Sequence, residues 1–143
     1  MLPKKGDFMA NEAVIIELFN GGRPIRYTVS NAAGIAKGAL MIVSNPRTAA
    51  AHTAAADAPF VGIAAAEKVI NDGSVSLAVY TDGIFDITAA AAGVTAVGAI
   101  CATSATANMI QAADANDLLQ GSTVGQCLEA HANDEVAAVR VNK

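Results

Sequence analysis

GSVSLAVYTDGIFDIT, residues 73–88, decides how the rest of the chain folds. Val75, Leu77 and Val79 alternate with Ser74, Ser76, Ala78 and Tyr80, and beyond Asp82-Gly83 the apolar positions resume with Ile84, Phe85 and Ile87. A period of two belongs to a strand, whose side chains point to opposite faces in turn. Asp-Gly is the dipeptide that most readily takes the positive φ angles of a tight turn. The stretch therefore predicts a β-hairpin, with Asp82 and Gly83 as structural turn residues.

On either side the same plan recurs in shorter pieces. Ala13–Leu18 is a β-branched run closed by Asn20-Gly21-Gly22, and Arg23–Val29 resumes with a strand that starts after Pro24 or lies at a sheet edge, because proline cannot donate to a ladder. Leu40–Ser44 is a short apolar strand stopped by Asn45-Pro46. Phe60–Ala64 with Val69-Ile70, then Val97–Ala102, Asn108–Gln111, Thr123–Ala130 and Glu135–Val141 complete the set. Asp114–Gln120 has an acidic start and reads as one helical turn. Arg47–Pro59 (RTAAAHTAAADAP) has no large apolar stripe to anchor a helix, so a long, partly ordered loop is expected there.

An internal echo links these pieces. Ala32-Ala33-Gly34-Ile35 before Gly38-Ala39-Leu40 is matched by Ala91-Ala92-Gly93-Val94 before Gly98-Ala99-Ile100. Val61-Gly62 returns as Val124-Gly125, and Asn71-Asp72 as Asn133-Asp134, at offsets near sixty residues. Repetition at a fixed offset points to a duplicated β unit or to one strand order used twice. The expected fold is all-β: a small β-barrel or β-sandwich in one domain over residues 13–143, with pseudo-repeats at 31–88 and 90–143. Residues 1–12, MLPKKGDFMANE, mix Pro, Gly and charge without periodicity and read as a flexible N-terminal arm.

Composition limits what such a chain can do. The 143 residues are 53% hydrophobic but only 4% aromatic, without tryptophan, so the apolar character comes mainly from alanine and valine. Charged residues make up 15%, below the usual ~25% of a soluble domain, which suits a protein that covers its surface by packing into an assembly. A net charge of −4 and scattered basic residues argue against nucleic acid as a partner. No apolar run reaches the ~18 residues of a membrane span, and no apolar segment follows Lys4 and Lys5 as in a signal peptide, so synthesis in the cytoplasm is the default expectation.

Nothing in the sequence supports catalysis. His52 and His131 sit in no motif and are expected to be solvent-exposed, and Asp57, Asp82, Asp86, Asp114 and Asp117 fall where turns and caps use carboxylates. Asp114, Asn116 and Asp117 lack the glycine and closing glutamate of a calcium loop, so neither a metal nor any other cofactor is expected. Cys101 and Cys127 are too few and too far apart for a zinc site and read as small buried hydrophobes on strands, with a disulfide between them open but not required.

With these residues placed, the chain resembles the small decoration, or cement, proteins of tailed-bacteriophage heads. The resemblance is carried by the Ala-Gly-Ile and Gly-Ala-Leu run at 33–40, Phe60-Val61-Gly62-Ile63, the stretch Val79–Ile87, Val97-Gly98-Ala99 and the closing Glu135–Val141. It implies a non-enzymatic, β-rich virion protein, commonly trimeric, bound to the outside of an expanded capsid near its three-fold and quasi-three-fold positions. The major capsid protein would be its partner, and the arm would engage the shell, with Leu2, Lys4, Lys5 and Phe8 as contact candidates. A different virion or cell-surface β module, such as a head-fibre base or a glycan-adhesion domain, is the alternative. Six Phe and Tyr residues, most on expected strands, leave few aromatics to stack on sugars.

Overall fold

The computed structural model describes residues 10–19, 23–53, 55–90 and 96–143. Eleven strands are present there: β1 (Val14–Glu17), β2 (Ile25–Thr28), β3 (Leu40–Asn45), β4 (Thr48–Ala51), β5 (Phe60–Ala64), β6 (Ser76–Tyr80), β7 (Asp82–Ala89), β8 (Ile100–Thr103), β9 (Met109–Ala112), β10 (Thr123–Cys127) and β11 (Val136–Asn142). One short helix, α1 (Ala115–Gln120), lies between β9 and β10. Strands β2, β4, β3, β5 and β6 close into one barrel. Strands β7, β11, β10, β8 and β9 close into a second, and β1 adds to the outside of β7. Closure removes the free edges that would make so alanine-rich a sheet aggregate.

The two barrels have the same wiring. In each, the first strand runs parallel to the third and antiparallel to the fifth, while the second pairs with the third and fourth. The register repeats as well: Tyr27 faces Leu77, and sixty residues on Ile87 faces Ala137. Gly38 and Gly98 share left-handed φ angles of 89° and 87°. Their N–H groups donate to the equivalent carbonyls of Ala64 (2.9 Å) and Cys127 (2.7 Å). The echo seen in the sequence is thus a duplicated five-stranded barrel. The change of barrel falls at Thr81, earlier than the bounds of 31–88 and 90–143 read from the alanine and glycine matches. Those matches mark turns, whereas β2 and β7, the first strand of each barrel, share their pairing and little sequence.

The expected hairpin at 73–88 is corrected. β6 pairs with β2 and β5, β7 pairs with β1, β11 and β9, and between them the chain passes from one barrel to the other. Asp82 and Gly83 are not a turn but the first residues of β7, facing Asn142 and Val141 of β11. Gly83 has φ 141°, and a Cβ there would stand 2.9 Å from the Glu17 carbonyl oxygen. Its role is to let the chain at the end of β1 lie close across β7. The period-two pattern identified both strands, but alternation carries no information about which strand is the neighbour.

Other corrections follow from pairing. Residues 48–51 of the expected loop are β4, held against β3 through Met41–Ala51, Ile42–Ala50 and Val43–Ala49, because small side chains fit the interior of a narrow barrel. Val69 and Ile70 form no strand; only Lys68 bridges, to Ile35. β8 starts at Ile100 and β10 ends at Cys127, both shorter than expected. The Asn20–Gly22 turn, the Ala91–Gly93 part of the echo and residues 1–9 of the arm lie outside the described residues.

Two cores result. One fills the first barrel around Val29, Ile35, Met41, Leu77 and Val79. The larger one fills the second barrel around Phe85, Ile87, Ile110, Val124 and Val139 and continues onto Leu40, Phe60 and Ile63, on the outer face of the first. The barrels therefore share apolar packing, and Tyr80 of β6 lies 6.0 Å from the ring of Phe85 on β7.

Candidate interaction surface

Several of the polar residues that chemistry would use are bonded into the framework. His52, expected at the surface, is fully buried in the junction between barrels. The Asn108 N–H donates to its Nδ1 at 3.2 Å, so the ring proton sits on Nε2 and faces the carbonyls of Ser104 (2.8 Å) and Ala55 (3.0 Å). Asn108 extends this joint: its Oδ1 accepts from the Leu40 N–H at 2.9 Å and its Nδ2 donates to the Ala10 carbonyl at 3.0 Å. Within the stretch 52–59 His52 and Ala58 are buried, whereas Thr53, Ala55, Asp57 and Pro59 are exposed, a division that no local pattern reveals. His131 is also buried instead of exposed.

The carboxylates behave as caps and turns. Asp114 caps α1 by accepting from the N–H groups of Asn116 and Asp117, and Asp117 returns the bond by accepting from the Asp114 N–H at 2.8 Å. Asp72 accepts from Ser74 and Val69 N–H groups beside the Lys68 ammonium. These contacts, led by the Ser74 N–H, hold its carboxyl below the ordinary value of 3.8. Lys68 is the polar residue that the sequence did not single out. It is fully buried, and its Nζ donates to the carbonyls of Asn31 and Ala33, each at 2.8 Å.

Cys101 and Cys127 are free and buried side by side on β8 and β10. Hydrogen bonding to Cys127, then burial, push the Cys101 thiol well above its ordinary range, which disfavours its thiolate. Among the described residues no group of three or more His, Cys, Asp or Glu could hold a metal ion. No helix there is long and apolar enough to cross a membrane.

Twelve large hydrophobic residues are exposed among the described residues, and some of them line grooves. On β1, Val14 and Ile16 are half-exposed or more, and Phe19 just beyond is open to solvent. Phe19 lines a groove of about 220 Å³ with Glu17, Asp82, Gly83, Ile84 and Arg140. Ile100 and Leu118 line a second groove of about 360 Å³ with Thr123, Gly125 and Gln126, and Arg140 borders both grooves. Leu118 and Leu119 of α1 stand almost fully in water. Leu2, Lys4, Lys5 and Phe8 lie outside the described residues, and the described chain begins at Ala10, whose carbonyl is tied to Asn108 at the junction.

Scattered single apolar residues on a surface need no explanation, but exposed apolar residues gathered at two grooves that share Arg140, on a protein with few charges, favour a surface that a partner covers. A search of curated proteins finds no match to this chain. A family described as "Phage cement protein" matches residues 19–142, which takes in both barrels from β2 to β11. The extent of that match shows that the chain belongs to the phage cement protein family, whose members are structural proteins of the virion associated with the capsid.

Proposed function

We propose that this chain binds the outer surface of an expanded phage capsid, with the major capsid protein as its partner, and stabilises the shell as trimers at three-fold and quasi-three-fold positions. The observation that carries this is the family match across both barrels, supported by the exposed apolar β1 face. A clip that binds only the expanded lattice stabilises it by mass action, because its binding energy is absent in the immature state. Residues 1–12, with Leu2, Lys4, Lys5 and Phe8, act as the arm that engages the shell.

The test compares heads with and without the protein. Added protein should saturate expanded heads, leave unexpanded shells bare and raise the temperature at which heads release DNA. A chain lacking residues 1–9, which keeps the Ala10 carbonyl on Asn108, should keep its fold by circular dichroism and occupy fewer sites. Full occupancy by the truncated chain would remove the arm from the mechanism, and equal binding to unexpanded shells would remove the selective clip.

A further inference from the structure

The duplicated architecture identifies a second use for the face by which the barrels join. In the first barrel, Leu40, Phe60, Ile63 and Tyr80 form an outer face packed into the larger core, against the second barrel. Registers place Ile100, Thr123, Gln126 and Arg140 at the same positions of the second barrel. There the face is open: Ile100 is 48% exposed and lines the groove of about 360 Å³ with the other three. The surface that receives the first barrel's face also has a copy. Phe85 and Asn108 in the second barrel correspond to Ile25, which is 44% exposed, and to Arg47, which is exposed and shares the left-handed turn geometry, φ 49° against 60°.

Each chain therefore carries one joined pair of matching surfaces and one unjoined pair, at opposite ends. We infer that a second copy of this chain docks its Ile25 and Arg47 end onto the Ile100 groove, continuing head to tail the interface that already joins the two barrels. A heterologous contact of this kind either closes into a ring or runs on as a filament. Three copies would set six barrels in one ring. The unjoined face is more polar than its buried counterpart, Thr123, Gln126 and Arg140 standing where Phe60, Ile63 and Tyr80 pack. That is the composition of an interface whose partners also exist apart. Among the described residues no strand lies across it as β1 lies across the internal joint, where the Ala13 N–H donates to Gly38 O at 2.7 Å. The equivalent Gly98 has only the Gln126 amide nitrogen, at 3.9 Å, near where a Cβ would stand.

The inference refines the trimer of the proposed function and is tested in solution, apart from any capsid. Within the chain the Leu40 N–H lies 2.9 Å from Asn108 Oδ1, so Ile100 of one copy and Arg47 of the next should approach within disulfide range. Full-length Ile100→Cys and Arg47→Cys variants, mixed and oxidised at high concentration, should give a covalent dimer, and each alone should stay monomeric on a denaturing gel. The double variant should give a ladder ending at a closed trimer. Sedimentation of Ile100→Asp, a surface change the fold should tolerate, should show association weakened about ten-fold or more. Absence of the mixed dimer, or self-linking of Ile100→Cys, would overturn the inference. Capsid binding, measured on heads, could survive either result.

Discussion

Gly62 and Gly125 show how far the duplication reaches at the scale of one residue. A Cβ on Gly62 would collide with the carbonyl oxygen of Tyr80, and one on Gly125 with that of Arg140, the residue sixty positions after Tyr80. Gly62 also has φ 150°, so both backbone conformation and space exclude a side chain there. Gly62→Ala and Gly125→Ala should each cost on the order of 2–4 kcal/mol in urea unfolding, and a loss below ~1 kcal/mol at both sites would contradict the close strand approach. The other residue with a measurable signature is Asp72. Its carboxyl is held below 3.8 mainly by the Ser74 N–H and also by Lys68. A depressed pKa contributes stability that is fully present above the unfolded value and is lost as pH falls through the folded one. The stability difference between the wild type and Asp72→Asn should therefore be constant near neutrality and shrink below pH 3.8. A difference that persists undiminished at lower pH would show that the ionised form is not what the loop uses.

Among the elements, α1 is the one whose local sequence is sufficient to explain it. Asp114 and Asp117 form a reciprocal capping box, and Gly121 closes the helix at φ 75°. Asp114→Ala should cost about 1 kcal/mol by chemical denaturation, whereas the exposed Leu119→Ser should cost almost nothing. The strands were legible for a similar reason: β-branched runs and period-two alternation are local properties, and every strand except β4 was anticipated near its place. Strand partners were not legible, because pairing across fifty residues or more depends on closure of each barrel. That is why Val75–Ile87 looked like a hairpin although its two strands serve different barrels. β4 reads as part of a loop in the sequence because alanine side chains are too small to show an apolar period of two, while in the fold Ala49 and Ala51 pack in the first barrel's core. Of the interaction surface, Leu118-Leu119 was visible as a pair. The significance of Ile100, Thr123 and Gln126 emerges only when their buried counterparts at Leu40, Phe60 and Ile63 are known.

Taken whole, the molecule is two copies of one barrel joined so that they share a core. Leu40, Phe60 and Ile63 belong to the first barrel by hydrogen bonding and to the second by packing. His52 and Asn108 add a buried polar joint in which His52 Nδ1, Asn108 Oδ1 and Asn108 Nδ2 each have a backbone partner across the junction or at Ala10. A barrel released from its neighbour would expose that apolar face and leave those buried groups unpaired, so opening the junction costs about as much as disrupting a core. We therefore expect the barrels to unfold together, in one calorimetric transition whose van't Hoff and calorimetric enthalpies agree. His52→Ala, which leaves the Asn108 N–H and the Ser104 carbonyl without their partner, should lower that single transition by roughly 2–3 kcal/mol, or several degrees in Tm. Two resolved transitions in the wild type would mean that the barrels are independent units joined only by the chain at Thr81. A His52→Ala variant that splits one transition into two would instead locate the coupling in the polar joint and not in the shared apolar face.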